Sequence, residues 1–101
     1  MAFTKVATVQ EIPVGRGKAV QAKGKQLALF NVGGTFYAID DSCPHRGAPL
    51  SQGQVAGSEV VCPWHSARFD LKTGAFLSPP ARSGVACYPV QVVGDEVQVD
   101  V

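Results

Sequence analysis

The stretch Gln26-Leu27-Ala28-Leu29-Phe30-Asn31-Val32-Gly33-Gly34-Thr35-Phe36-Tyr37-Ala38-Ile39 decides the fold. Two runs rich in aliphatic and aromatic residues flank a Gly-Gly pair. Two glycines tolerate the positive φ angles that a tight hairpin turn demands. Leu27, Leu29 and Asn31 fall on one side of the first run, and Ala28, Phe30 and Val32 fall on the other. The same grammar recurs near the end of the chain. Val90-Gln91-Val92-Val93 and Glu96-Val97-Gln98-Val99-Asp100-Val101 flank Gly94-Asp95, and Val97, Val99 and Val101 make a period-two stripe.

Outward from these hairpins, strands also fit Phe3–Val9, Ala19-Val20, Glu59–Val61 and Arg68–Asp70. Helix is scarce. Thr8-Val9-Gln10-Glu11 resembles a helix start, but Pro13 and Gly15 stop it within about one turn. The expectation is an all-β domain of short strands, a small sandwich or barrel.

The 101 residues allow one domain, spanning 1–101. A domain of this length hides roughly two-thirds of its unfolded surface, so its core is thin. Nine Lys and Arg stand against eight Asp and Glu, a net charge of +1. That balance argues against a nucleic-acid binder or a polybasic membrane anchor. No apolar run approaches the roughly 20 residues of a membrane span. The opening Met1-Ala2-Phe3-Thr4-Lys5 lacks the layout of a signal peptide, so the expected location is cytoplasmic. Three cysteines are an odd count, and 11 Gly with 7 Pro make a turn-rich chain. Both facts weigh against a disulfide scaffold and a helical bundle. Arg16, Lys18, Lys23 and Lys25 form a basic stretch. It reads as a solvated hairpin, with a docking face for an acidic partner as the other reading.

Residues 43–65 are not explained by strand packing. Cys43-Pro44-His45 is followed after sixteen residues by Cys62-Pro63-Trp64-His65. Both histidines of the chain and two of its three cysteines lie in these motifs. Thiolate and imidazole are ligands that iron, zinc and copper select. The bland reading is two small buried cysteines and two ordinary histidines. Zinc is the competing metal, but its usual structural sites group Cys with Cys and His with His, whereas each motif here mixes them.

These residues resemble the Rieske [2Fe–2S] motif, Cys-x-His followed by Cys-x-x-His. The surroundings are similar too: Gly47-Ala48-Pro49-Leu50-Ser51-Gln52-Gly53 after the first pair, Arg68-Phe69-Asp70-Leu71-Lys72-Thr73-Gly74 after the second, and Ser78-Pro79-Pro80-Ala81 as a proline loop. The likeness spans essentially the whole chain and is greatest to the small ferredoxins of bacterial ring-hydroxylating oxygenase systems. It implies a Rieske-type β-sandwich or barrel, with a cluster-binding subdomain over about 42–82 built from two ligand loops. It implies one [2Fe–2S] cluster, with Cys43 and Cys62 on one iron and His45 and His65 on the other. In the family the imidazoles sit at an exposed tip, so docking is expected near His45 and His65.

The implied role is a soluble one-electron carrier. It would take electrons from a flavin-containing NAD(P)H-dependent ferredoxin reductase and pass them to a terminal oxygenase, with no nucleic acid or membrane partner. No catalytic residues are expected, since no nucleotide-binding glycine loop, triad or mononuclear iron site remains outside the motifs. The alternatives are a Rieske-like small subunit of a nitrite reductase and a structural zinc module.

Departures from other Rieske proteins narrow the expectation. Some respiratory relatives join an extra cysteine from each ligand loop as a disulfide. Ala48 and Trp64 occupy those positions, so that bridge cannot form, in keeping with a reducing compartment. High-potential relatives place Ser and Tyr hydroxyls near the cluster, where Ala67 and Phe69 stand in this chain. Fewer hydrogen bonds to the sulfurs disfavour the reduced state, so the expected potential is on the order of −150 mV. Cys87 reads as a buried structural thiol, not a ligand. Pro44 and Pro63 are expected to stiffen the loops, Trp64 to pack over them, and Arg46 and Arg68 to be solvated.

Overall fold

The computed structural model describes residues 3–42, 49–63, 67–78 and 84–101. Among them, eleven strands form three antiparallel sheets, with two short 3-10 turns and no α-helix. The central sheet is built from β2 (Gly17–Ala22), β3 (Lys25–Val32), β4 (Thr35–Asp40) and β9 (Cys87–Tyr88), in that order. A second sheet has β11 (Glu96–Asp100) between β1 (Phe3–Thr8) and β10 (Val90–Val93). The third runs β5 (Gln54–Ala56), β6 (Glu59–Val61), β7 (Arg68–Asp70), β8 (Phe76–Ser78). The all-β expectation holds.

The Gly33-Gly34 hairpin forms as the sequence predicts. Val32 pairs with Thr35, and the two glycines take φ of 60° and 95°. Positive φ at both central positions matches the right-handed twist of the flanking strands. The Gly94-Asp95 turn also forms, with Val93 opposite Glu96. Its stripe is real: Val97 and Val99 are fully buried and Val101 packs at the margin of the same core. The helix start at Thr8 shrinks to a 3-10 turn at Val9–Glu11, in which the Thr8 N–H donates to Glu11 Oε1 at 2.9 Å.

β3 organises the interior. Leu27, Ala28, Leu29 and Phe30 are all fully buried, because both faces of this strand are covered. Alternate side chains point to opposite faces. Leu27 and Leu29 join Ala38, Val97, Val99 and Ile12 in one core. Ala28 and Phe30 join Ile39, Leu50, Val60, Phe69 and Leu71 in another. Each large aliphatic or aromatic side chain so buried is worth about 1.5–3 kcal/mol. Asn31, only 6% exposed, continues the Leu27–Leu29 face. Its Nδ2 donates to Ile12 O at 2.8 Å and its Oδ1 accepts the Gly34 N–H at 2.9 Å, so its burial leaves neither amide atom unpaired.

The basic stretch is a hairpin whose cations mostly find partners. Lys18 pairs with Glu11, Lys23 Nζ donates to Val101 O at 3.0 Å, and Lys25 Nζ lies 5.4 Å from the Tyr88 ring centroid. The expectation for Cys87 is corrected. It is exposed, because β9 is the edge strand of the central sheet and pairs only through its backbone with Ile39.

Candidate metal centre

Of the four candidate ligands, Cys62 is described. Cys43, His45 and His65 lie outside the described residues, as do Pro44, Arg46, Ala48, Trp64, Pro79, Pro80 and Ala81. Among the described residues, no three His, Cys, Asp or Glu side chains gather in a metal-holding group. What the structure does give is the frame at the base of each motif.

Cys62 directly follows β6, and Ala67 directly precedes β7. The Cys62 N–H donates to Ala67 O at 2.7 Å, next to the paired residues Val61 and Arg68. The segment 63–66 is therefore bracketed by a hairpin base. Cys62 is 2% exposed and belongs to the core of Phe30, Ile39 and Phe69. Its sulfur is in no disulfide. Hydrophobic sequence alone explains this burial, since β6 and β7 place Val60 and Phe69 opposite each other on the inner face.

The first motif has a comparable base. Ser42 and Pro49 form an isolated antiparallel bridge on either side of residues 43–48. Asp41, 7% exposed, holds the return: its backbone oxygen accepts the Leu50 N–H at 2.9 Å, and its Oδ1 accepts the Ser51 N–H at 2.7 Å. A carboxylate accepting a backbone N–H makes a stronger bond than a neutral acceptor.

The segment that resembles the proline loop also has a fixed end. Val85 N–H donates to Gly74 O at 2.7 Å. Gly74 has φ +79°, and a Cβ there would lie 2.0 Å from Val85 O, so only glycine allows this approach. Nearby, the Tyr88 hydroxyl donates to Asp40 Oδ1 at 2.7 Å. Burial first, then this bond and the Asp40 charge, push the Tyr88 phenol up to about 12.

Ala67 and Phe69 are both fully buried in the core that contains Cys62. Neither carries a hydroxyl. Arg68, expected to be solvated, pairs across the strands with Glu59, with Nη1 3.4 Å from Oε1. Both are partly solvated, so the pair is worth at most about 1 kcal/mol. A cleft of about 570 Å³ between Gly15–Gly17 and Ser51–Val55 does not include Cys62 in its lining. Sequence reasoning missed Asp40 and Asp41 as parts of the frame. Their adjacency to the first motif is no signal by itself, because their partners at Ser51, Ala86 and Tyr88 are distant in sequence.

The donor set suits an iron–sulfur cluster. One free, enclosed thiol is in place in an apolar core, and thiolate with imidazole is the mixed set that a Rieske centre uses.

Comparison with known proteins agrees. The family model for the Rieske [2Fe-2S] domain matches residues 2–89. The ferredoxin component of a naphthalene 1,2-dioxygenase system from Pseudomonas aeruginosa is 42% identical over 90 residues, covering 89% of this chain and 86% of that protein. Among solved structures, the ferredoxin of carbazole 1,9a-dioxygenase from Nocardioides aromaticivorans IC177 superposes with a TM-score of 0.92 at 34% identity, covering 98% of this chain and 97% of that one. A second match is a complex of reduced oxygenase and oxidised ferredoxin in carbazole 1,9a-dioxygenase, with TM-score 0.88, 34% identity, and coverage of 96% and 91%. By the family match, the sequence identity and the fold together, this chain belongs to the Rieske [2Fe-2S] domain family.

Proposed function

We propose that this chain is the ferredoxin of a bacterial ring-hydroxylating oxygenase system, holding one [2Fe–2S] cluster through Cys43, His45, Cys62 and His65. The observation that carries the reading is the hairpin base at Cys62 and Ala67, a buried free thiol at the mouth of a segment containing His65, in a chain of this family. The relatives named above are dioxygenase ferredoxins, and one is described in complex with its oxygenase.

When bound, the cluster supplies a site that gains and loses one electron. The chain's own residues do the rest. Cys43 and Cys62 offer thiolates to one iron, and His45 and His65 offer imidazoles to the other. The core around Phe30, Ile39 and Phe69 keeps water from the Cys62 side. Ala67 and Phe69 leave the cluster sulfurs without side-chain hydroxyl donors from these two positions, which favours a low potential. Electrons enter from an NAD(P)H-dependent flavin reductase and leave to a terminal oxygenase, with docking near His45 and His65.

No helix among the described residues is long and apolar enough to cross a membrane. The missing disulfide pair at Ala48 and Trp64 supports a cytoplasmic location. The third sheet and the Leu50–Gln52 turn fall inside residues 42–82, which supports a cluster-binding subdomain within one domain of 1–101.

The test is reduction of the purified protein by an NAD(P)H-dependent flavin reductase, followed by visible absorption. The expected result is bleaching by one electron per chain and re-oxidation by a terminal oxygenase. Copurification with a sirohaem protein would instead favour the small subunit of a nitrite reductase, the reading these relatives support less.

A further inference from the structure

We propose that Asp40 and Asp41 are positioning residues, a two-sided clasp that fixes where two cluster-flanking segments return to the central sheet. The proposal rests on the reading that Cys43 and His45 are ligands. Asp40 ends β4 and Asp41 follows it. Adjacent residues of an extended chain send their side chains to opposite sides. These two acids use that property to hold different parts of the molecule.

Asp41 holds the far end of residues 43–48. Its N–H donates to Gln26 O at 3.1 Å, which anchors it to the end of the β2–β3 hairpin. Its carbonyl takes the Leu50 N–H and its carboxylate takes the Ser51 N–H. Three bonds thus tie the residues on both sides of the first motif to one strand end. Asp40 holds the far end of residues 79–83. Its N–H donates to Ala86 O at 3.0 Å, and its Oδ2 accepts the Ala86 N–H at 3.3 Å. Its Oδ1 accepts the Tyr88 hydroxyl. The sequence separation is 46 residues to Ala86 and 48 to Tyr88, so this is a tertiary tie and not a local turn.

A carboxylate is well suited to this work. Asp40 has two oxygens and uses both, on two donors of the same returning segment. Asp41 is nearly enclosed, so the loss of its acceptor would leave the Ser51 N–H, also in a buried residue, without its partner. The effect would fall on the segment ends before it fell on the two cores, because neither acid belongs to either core.

The experiment compares Asp41→Ala, Asp41→Asn, Asp40→Ala and Asp40→Asn in the cluster-loaded protein. Two quantities are read: the rate of iron release to a ferrous chelator, and the EPR line shape after reduction. Far-UV circular dichroism is followed under the same conditions. Both alanine variants should release iron at least about tenfold faster while circular dichroism remains native, the consequence of one lost charge-assisted bond in Asp41→Ala and two in Asp40→Ala. Their EPR line shapes should shift. Asp41→Asn keeps the single oxygen acceptor that Asp41 uses and should stay within about threefold of wild type, whereas Asp40→Asn keeps one of the two acceptors in use and should fall between Asp40→Ala and wild type. Release at the wild-type rate in both alanine variants, or release only in step with loss of circular dichroism, would overturn the clasp. A wild-type protein that binds no iron would overturn the ligand reading and the clasp with it, and is told apart because the unsubstituted chain fails.

Discussion

Leu29 and Phe30 are neighbours in β3, both fully buried, and they lie in different cores. Leu29 packs with Ala38 and Val97, on the side of the β1–β11–β10 sheet. Phe30 packs with Cys62, Val60 and Phe69, on the side of the candidate cluster. One strand therefore serves as the wall between a structural core and a core that contains the candidate ligand Cys62.

The two substitutions Leu29→Ala and Phe30→Ala should separate these roles. Both delete large buried side chains, at a cost of about 2–5 kcal/mol for Leu and about 3–5 kcal/mol for Phe. Denaturant unfolding should show both losses. Only Phe30→Ala should speed loss of visible colour below its unfolding midpoint. Equal colour loss in both, at matched fractions folded, would argue against two cores of separate function.

Ala67 and Phe69 set the expected potential. Wild type should lie on the order of −150 mV. Ala67→Ser and Phe69→Tyr each add a hydroxyl at a fully buried site in the Cys62 core, and each should raise the potential measured by voltammetry. Adding one polar atom there should cost about 1–3 kcal/mol of stability where it finds no partner. A wild-type potential above about +100 mV would contradict the low-potential assignment.

Two exposed or partly exposed groups shape the pH dependence of stability. Glu11 is held down at about 2, first by its bond with Lys18 and then by the Thr8 N–H. Its folded value is below its ordinary 4.5, so its contribution is present above that pH and is lost as pH falls towards 2. Glu11→Gln should flatten the stability profile on that acid limb. Tyr88 is the reverse case: raised from 10.0 to about 12, it stabilises fully below pH 10 and the contribution fades as pH rises through 12. Tyr88→Phe should remove that alkaline slope, as followed by circular dichroism melts across both ranges.

Much of this was legible in the sequence, and the reasons are local. Gly33-Gly34 between apolar runs can hardly be anything but a tight turn. The Val97, Val99, Val101 stripe has the period of a strand with one buried face. The Cys-x-His and Cys-x-x-His spacings pointed to the family that the comparison shows, while Cys43, His45 and His65 themselves lie outside the described residues. What was not legible depends on distant partners. β9 has two residues, too few to show a period, and it exists because Ala38 and Ile39 pair with Tyr88 and Cys87. That pairing places Cys87 on an exposed edge, against the expectation of a buried structural thiol. The roles of Asp40 and Asp41 were equally hidden, because an acid before a ligand motif looks the same whether it is solvated or holding a loop.

The central claim is tested most directly by the iron, acid-labile sulfide and zinc content of the purified chain, measured together with Cys62→Ser and Cys87→Ser. The account predicts a red-brown protein with two irons and two sulfides per chain, loss of both in Cys62→Ser, and full retention in Cys87→Ser. A colourless protein holding zinc without sulfide, or bleaching by Cys87→Ser, would contradict it.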